Sequence, residues 1–475
     1  MQLQSNQQLE ILKSNLAAIK SIVAILRSTI GPKGLNVMLV DNLGHTICTN
    51  DGIEILNNIP IKHPVVKLLI EACQAQENQV GDGSTSTAIL IESIIENSIN
   101  AIESGAKVQE IINGLKTIEN HLIDYLKSQA QKFDDQKLYS LINISARDEK
   151  DISDLVFKIC KTKKRRCSIM GILNKESQIL EGLILRKKPH HHFNLKLANS
   201  QILILDGSFE ADPMSSEAAS TDQGVIRYDN NVKTILRQAQ VLAKANIKAV
   251  FTSGSMMPQA EEIFAKENVF VLTHVKKSDL DDLLYISNAR FVSRNTCLYG
   301  EIDNIKNYCG NINSLAYNSE ASGFQIIGVN EFYTAVIGAE TQSILDEKVL
   351  IANDAYKAAC SSIDLGFVAG EGIAELNLAE EISKSNDLIT AKIVTNSLRE
   401  IFLQIIDNAG LERQSSLNLV NSQVKNIGID LDNGKAIDLI KENIVDAVSC
   451  KLSMIKIAFD VASQILKIKH IIQAK

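Results

Sequence analysis

What the chain lacks removes several classes of protein. No apolar run is long enough to cross a bilayer, and the amino terminus, MQLQSNQQLE, has neither the basic nor the apolar region of a secretory signal. A cytoplasmic protein is the expectation. The eight cysteines (Cys48, Cys73, Cys160, Cys167, Cys297, Cys309, Cys360, Cys450) form no CxxC pair, so neither a zinc cage nor a disulfide framework is indicated and they read as reduced thiols. Positive charge is not in excess either. At a net charge of −7 bulk electrostatics give no reason to expect a nucleic-acid partner. The Walker pattern, GxxxxGK followed by Ser or Thr, is missing, which argues against a P-loop nucleotide hydrolase. Tryptophan is absent, from which nothing follows, and no internal repeat is visible.

What is present is a soluble globular composition, 45% apolar and 22% charged, on a chain of 475 residues, too long for one ordinary core. Two or three domains are expected. Leu9, Leu12, Leu16, Ile19, Val23, Leu26 and Ile30 recur at helical spacing until Gly31-Pro32 stops them. Val448, Leu452, Ile455, Phe459, Ala462 and Leu466 predict a second such helix, running to about residue 472. Further long helices are predicted over 84–105 and 344–363. Near residue 200 the pattern changes. Apolar, β-branched runs at 202–206, 248–251, 269–275 and 289–293 alternate with amphipathic stretches at 231–244, 259–266 and 278–287, an α/β layer inserted into a mainly helical body. The polar, aperiodic stretch 209–230 reads as a surface loop or as an excursion that touches a substrate or lid.

The sharpest chemical signal is Val80-Gly81-Asp82-Gly83-Ser84-Thr85-Ser86, directly before a long apolar helix. Two glycines free the backbone, Ser84 and Thr85 are candidate caps for a helix start that suits phosphate, and Asp82 is a candidate Mg²⁺ ligand. Alone, the pattern reads equally as a turn and N-cap. Ile30-Gly31-Pro32-Lys33-Gly34 is a rigid turn that either lines a nucleotide or simply ends a helix. Thr49-Asn50-Asp51-Gly52 needs no role beyond a hairpin or loop turn. Asp354 lies on a predicted helix, ahead of Gly370-Glu371-Gly372.

Taken together and in order, these segments resemble the group II chaperonins, the thermosome and CCT type of the TCP-1/cpn60 superfamily, along nearly the whole chain. LRSTIGPKGLNVMLVD is similar to the family's LGPKG segment, TNDGIEIL to TNDG, HPVVKLL to HPAAK, VGDGSTS to GDGTTS, and GFVAGEGIAELNLA to the GGGA loop. GIDLDNGKAIDL and SQILKIKHII resemble its closing pieces. The resemblance implies a multidomain α and α/β chaperonin fold. Its parts would be a mainly helical equatorial ATPase domain (1–136 and 369–475), a hinge-like intermediate domain (137–188 and 336–368) and an inserted α/β apical domain (189–335). It also implies a homo- or hetero-oligomeric double ring that encloses non-native polypeptide, with no nucleic acid or membrane as partner.

The implied cofactors are ATP and Mg²⁺, with K⁺ as a further candidate cation. By the same resemblance Asp82 binds Mg²⁺; Gly81, Gly83, Ser84, Thr85 and Ser86 surround the phosphates; and Ile30, Gly31 and Pro32 line the nucleotide. Asp51 and Asp354 orient and polarise the attacking water, Gly370 and Gly372 border the ribose, and Asp438 takes the adenosine side. A water-orienting group on a hinged domain would couple hydrolysis to chamber closure. The chain departs from the pattern at several points. Glu371 replaces a glycine, AVIGAET (335–341) lacks an arginine, the basic run 161–171 lacks Lys-Lys-x-Gly-Gly, and the segment 211–235 is short for a lid protrusion. His190-His191-His192 has no spaced partner ligand and reads as an exposed basic turn. An active folding ATPase is the first reading. A chaperonin-like scaffold with lost or weak cycling is the second, and a metabolic ATPase or kinase the third.

Overall fold

A computed structural model describes residues 2–40, 46–60, 63–162, 166–187, 196–212, 221–384, 388–420 and 425–469. They fall into two compact units, Met1–Cys160 with Leu350–Lys475, and Lys161–Val349. Among the described residues no helix is long and apolar enough to cross a membrane.

The first unit is built around the helix Ser84–Glu103, whose run Ala88, Ile89, Leu90, Ile91 is fully buried. A helix apolar on all sides has to be enclosed by others. Here the neighbours are Gln2–Arg27, Pro64–Val80, Leu388–Asn408 and Val448–Leu466. The first of these runs antiparallel to the central helix. Lys13 reaches Glu103 at 2.7 Å, Lys20 reaches Glu96 at 2.5 Å and Arg27 reaches Glu92 at 2.9 Å. The terminal helix stops at Leu466, six residues before the expected 472, and residues 470–475 lie outside the described set. The turn 49–52 is also more than a loop. It leaves the hairpin Val37–Val40/Thr46–Thr49 and starts the helix Gly52–Asn58, so Ile53 to Ile55 are helical.

The second unit carries a mixed sheet in the order Leu183–Leu185, Gly323–Gly328, Gly310–Asn318, Lys196–Asp206, Ile247–Thr252, Phe270–Leu272, with Val292–Ser293 also paired to Lys196–Asp206. The strands 196–206, 247–252 and 270–272 are parallel, as expected of an α/β layer. Side chains alternate along the central strand. Leu203 and Leu205 enter one apolar cluster, Ile202 and Ile204 another, so both faces are buried. A smaller sheet joins Cys167–Leu173, Tyr333–Ala339 and Gln178–Glu181. The stretch expected to be aperiodic is partly helix. Asp222–Ala243 begins well before residue 231, because Thr221 accepts the Gly224 amide at 3.1 Å as its N-cap. Residues 213–220, 163–165 and 188–195, the last including the His190 cluster, lie outside the described set.

On the helix Lys277–Ser287, burial pushes Asp282 from 3.8 up to about 6, with Arg166 partly opposing and Asp279 and Asp281 adding. The folded form therefore holds a proton that the unfolded chain gives up. Stability from this group is full below about pH 4 and is lost as pH rises through about 6. Asp282→Asn is expected to flatten that fall and to stabilise the unit at pH ~7.5 by about 1 kcal/mol, after allowance for solvent screening. Native-state amide exchange of the 277–287 segment in the whole protein measures it.

Candidate functional site

The Gly-Asp-Gly turn joins two helices with no slack. Pro64–Val80 ends on Gly81 at φ 76°, and Ser84–Glu103 starts from Gly83 at φ 82°, both left-handed conformations that favour glycine. Space demands glycine as well. A Cβ on Gly81 would lie 2.6 Å from Lys357 Cβ, and one on Gly83 2.6 Å from Cys450 Sγ. The cap is Gly83 itself, not Ser84 or Thr85, and no side chain caps the helix. The first amides and the positive end of the helix dipole are left for an anion. Asp82 accepts its neighbour's amide, Gly83 N, at 2.6 Å. Gln76 Nε2 donates to Asp82 O at 2.8 Å and to Cys450 O at 3.2 Å, fixing the turn against the terminal helix.

Acids converge on this turn. Asp51 caps its helix by accepting Glu54 N at 2.8 Å and stands 3.6 Å from an Arg147 nitrogen. A Cβ on Gly52 would meet Thr85 Oγ1 at 2.5 Å, so the Asp51 turn lies on the first turn of the Ser84 helix. Asp354, on the helix Gln342–Ser362, has its carbonyl 3.0 Å from the Cβ position of Gly81. Its carboxyl is hydrogen-bonded to Glu77 and is held far above the usual range by burial, then by the charges of Glu77 and Asp51. Burial, then Asp51, also raises Glu77, whose Oε1 is buried without a partner. Burial, then Asp446, raises Asp82 against the pull of Lys451. Lys357 opposes the rise of Glu77 and Asp354 without cancelling it. Among the described residues no three ligands form a metal cage. A Mg²⁺ ion here fits as one bound through a carboxylate or two, completed by phosphate and water oxygens.

Of the other motif residues, Gly31 and Gly372 pack on the helix Leu388–Asn408, which itself packs on the Ser84 helix. A Cβ on Gly31 would contact Ile405 at 3.2 Å and one on Gly372 would contact Phe402 at 2.8 Å, so both loops sit on neighbouring turns of Leu388–Asn408. Ile30 is buried at the same end, and Lys33 pairs with Asp432. Gly370 lies against Asp446, whose Oδ1 is 3.3 Å from its Cβ position. Asp438 is not drawn in by its contacts. It pairs with Lys441 at 3.2 Å and accepts that residue's amide.

Sequence reasoning missed the groups that brace the site. Lys451, 7% exposed, bridges Glu375 and Asp446 at 2.6 Å each. Burial alone would lower its ammonium; Asp446 and Glu375 outweigh that and keep it charged. Lys451 lies in the first turn of the Val448–Leu466 helix, which also carries Lys456 and Asp460, so no local pattern set it apart. Glu77, Gln76 and Arg147 carried no local signal. A cavity of about 130 Å³, lined by Tyr125, Gln129, Gln131, Asn377, Lys425 and Ile440 among others, contains no carboxylate and none of the motif acids, so volume does not mark the site.

Comparison with known proteins agrees with this architecture. Residues 22–475 match the model of the TCP-1/cpn60 chaperonin family. The chain is 24% identical to thermosome subunit alpha of Thermoplasma acidophilum, over 98% of this chain and 91% of that protein. It is 25% identical to T-complex protein 1 subunit theta of Caenorhabditis briggsae, again over 98% and 91%. The crystal structure of a group III chaperonin in the open state superposes with a TM-score of 0.74 at 25% identity, covering 98% of this chain and 99% of that one. The chain belongs to the TCP-1/cpn60 chaperonin family, and its fold is the chaperonin fold.

Lys451→Met leaves the buried Glu375 and the half-buried Asp446 without their cation. The expected cost is about 3 kcal/mol, read as a lower urea midpoint for the first unit, and Glu375→Gln added to it is expected to recover part of the loss. A single variant as stable as wild type would contradict the bracing role.

Proposed function

We propose that the pocket around Gly81–Ser86 binds Mg·ATP and hydrolyses it, and that the protein is a subunit of a ring-shaped chaperone for non-native polypeptide. The observation that carries this reading is the meeting of Asp51, Glu77, Asp82 and Asp354 at the start of a helix that no side chain caps. Family membership and the thermosome relatives support the chaperone role.

The amides of Ser84, Thr85 and Ser86 would receive the terminal phosphates, Asp82 would hold Mg²⁺, and Ile30, Gly31 and Pro32 would line the nucleotide. Gly370 and Gly372 would border the ribose and Asp438 the adenosine side, with Asp446 a further carboxylate beside Gly370. Bound Mg²⁺ would supply the positive charge that four carboxylates lack and would neutralise charge building up on the phosphates. Asp354, in its ionised form, would take a proton from the attacking water as that water's oxygen bonds to the terminal phosphorus and the bond to the departing ADP oxygen breaks, while Asp51 would orient the water. Arg147 beside Asp51 keeps that carboxylate aimed. The helix carrying Asp354 begins in the second unit's stretch of chain and ends in the first, which supports coupling of hydrolysis to movement of a hinge comprising 137–188 and 336–368. Residues 1–136 and 369–475 would be the ATPase domain and 189–335 the client-binding domain.

Asp354→Ala is expected to cut steady ATP turnover by about 10²-fold or more while Mg·ATP binding and the oligomer persist. A phosphate-release assay beside calorimetric binding tests it. An intact wild-type ring that binds ATP and never turns it over would contradict hydrolysis and favour a scaffold.

A further inference from the structure

Of the four acids at the Gly81–Ser86 turn, Glu77 is the one with no part in the hydrolysis proposed above. It lies in the last turn of the helix Pro64–Val80, where its carbonyl accepts the capping amide of Gly81 at 2.8 Å. The same glycine admits the helix Gln342–Ser362, with Asp354 O 3.0 Å and Lys357 Cβ 2.6 Å from its Cβ position. Two helices that close over a missing side chain thus bring Glu77 and Asp354 together, and their carboxyls are hydrogen-bonded. That bond needs a proton, because an ionised carboxyl only accepts and two of them in contact repel. The pair therefore holds one proton in common.

Stability does not account for Glu77. Its Oε1 is buried without a partner among the described residues. Asp51, Asp354 and Asp82 face it with like charge, and Lys357, on the Asp354 helix, only partly opposes them. The nearby Arg147 is engaged with Asp51. An acid so placed costs the fold free energy, and a neutral amide of the same shape would cost less. What a second carboxyl adds beside a base is a place for a proton. Burial, then Glu77 and Asp51, push Asp354 up to about 9, so in the free protein the proton is drawn to Asp354. Crossing the existing hydrogen bond to Glu77 ionises Asp354 without changing the charge of the pair.

We propose that Glu77 is a positioning residue for hydrolysis: it takes the shared proton from Asp354 and donates it back as a hydrogen bond, leaving Asp354 ionised and aimed at the attacking water. This rests on Asp354 being the base, as proposed above. The water oxygen then bonds to the terminal phosphorus as the bond to the ADP oxygen breaks, and one water proton passes to the free oxygen of Asp354. The pair now holds two protons, and the extra one leaves with the departing phosphate.

The test measures kcat/KM for Mg·ATP against pH in full-length wild type, Glu77→Gln and Glu77→Ala, beside Mg·ADP affinity and the urea midpoint. The glutamine amide donates to Asp354 as the protonated glutamate does and cannot lose its proton. Glu77→Gln is therefore expected within about threefold of wild type at pH ~7.5, and Glu77→Ala about 10²-fold lower, with Mg·ADP affinity within about twofold in both. Wild type should fall above about pH 9, where the pair loses its last proton, and Glu77→Gln should lack that fall. A glutamine variant as impaired as the alanine one, or one that keeps the alkaline fall, overturns the proposal. So do losses in both variants that merely follow a lowered urea midpoint. Wild type that binds Mg·ATP without turnover removes the hydrolysis reading as well, a result distinct from an unmoved profile.

Discussion

Asp51, Glu77, Asp82 and Asp354 are crowded at one helix start, Asp354 and Glu77 held together by a hydrogen bond, and much of the first unit is arranged to keep them there. Burial and mutual charge raise Glu77, Asp82 and Asp354, as expected when carboxylates are gathered with too little compensating cation. A pocket in this condition gains from a bound cation more than a neutral one does. Perturbed acids of this kind cluster where chemistry is done.

The scaffold enforces the arrangement through backbone proximity. Gly81 lets the Asp354 helix approach, Gly83 lets the terminal helix approach, and Gly52 lets the Asp51 turn approach. Each contact brings one acid-bearing or bracing element against the start of the Ser84 helix, which is held from behind by the fully buried Ala88 to Ile91. Added side chains at these glycines would push apart the elements that carry the acids. Lys451, Glu375 and Asp446 form a second, better-compensated network beside the first.

Legibility in the sequence followed the range of the interaction. The Gly-Asp-Gly turn could be read because left-handed glycines and a helix start are local, and the helices with apolar stripes could be read because burial imposes a period. Asp222–Ala243 could not be read to its start, since its first turns are exposed and need no stripe. The strand Gly310–Asn318 was missed because its apolar residues are interspersed with asparagine and serine. At the site, the motif residues were visible, but Asp354 and Glu77 are separated by more than half of the chain, and Lys451 meets Glu375 across 76 residues. The carboxylate beside Gly370, Asp446, had no motif to announce it.

The most direct test of the central claim is amide hydrogen exchange across the whole protein with and without Mg·ADP. Occupancy of the acidic pocket predicts protection at residues 30–34, 77–87, 370–375 and 446–451, and none attributable to the carboxylate-free cavity near Gln129 and Lys425. Protection that appears at that cavity, with residues 81–86 exchanging as freely as before, would contradict the account.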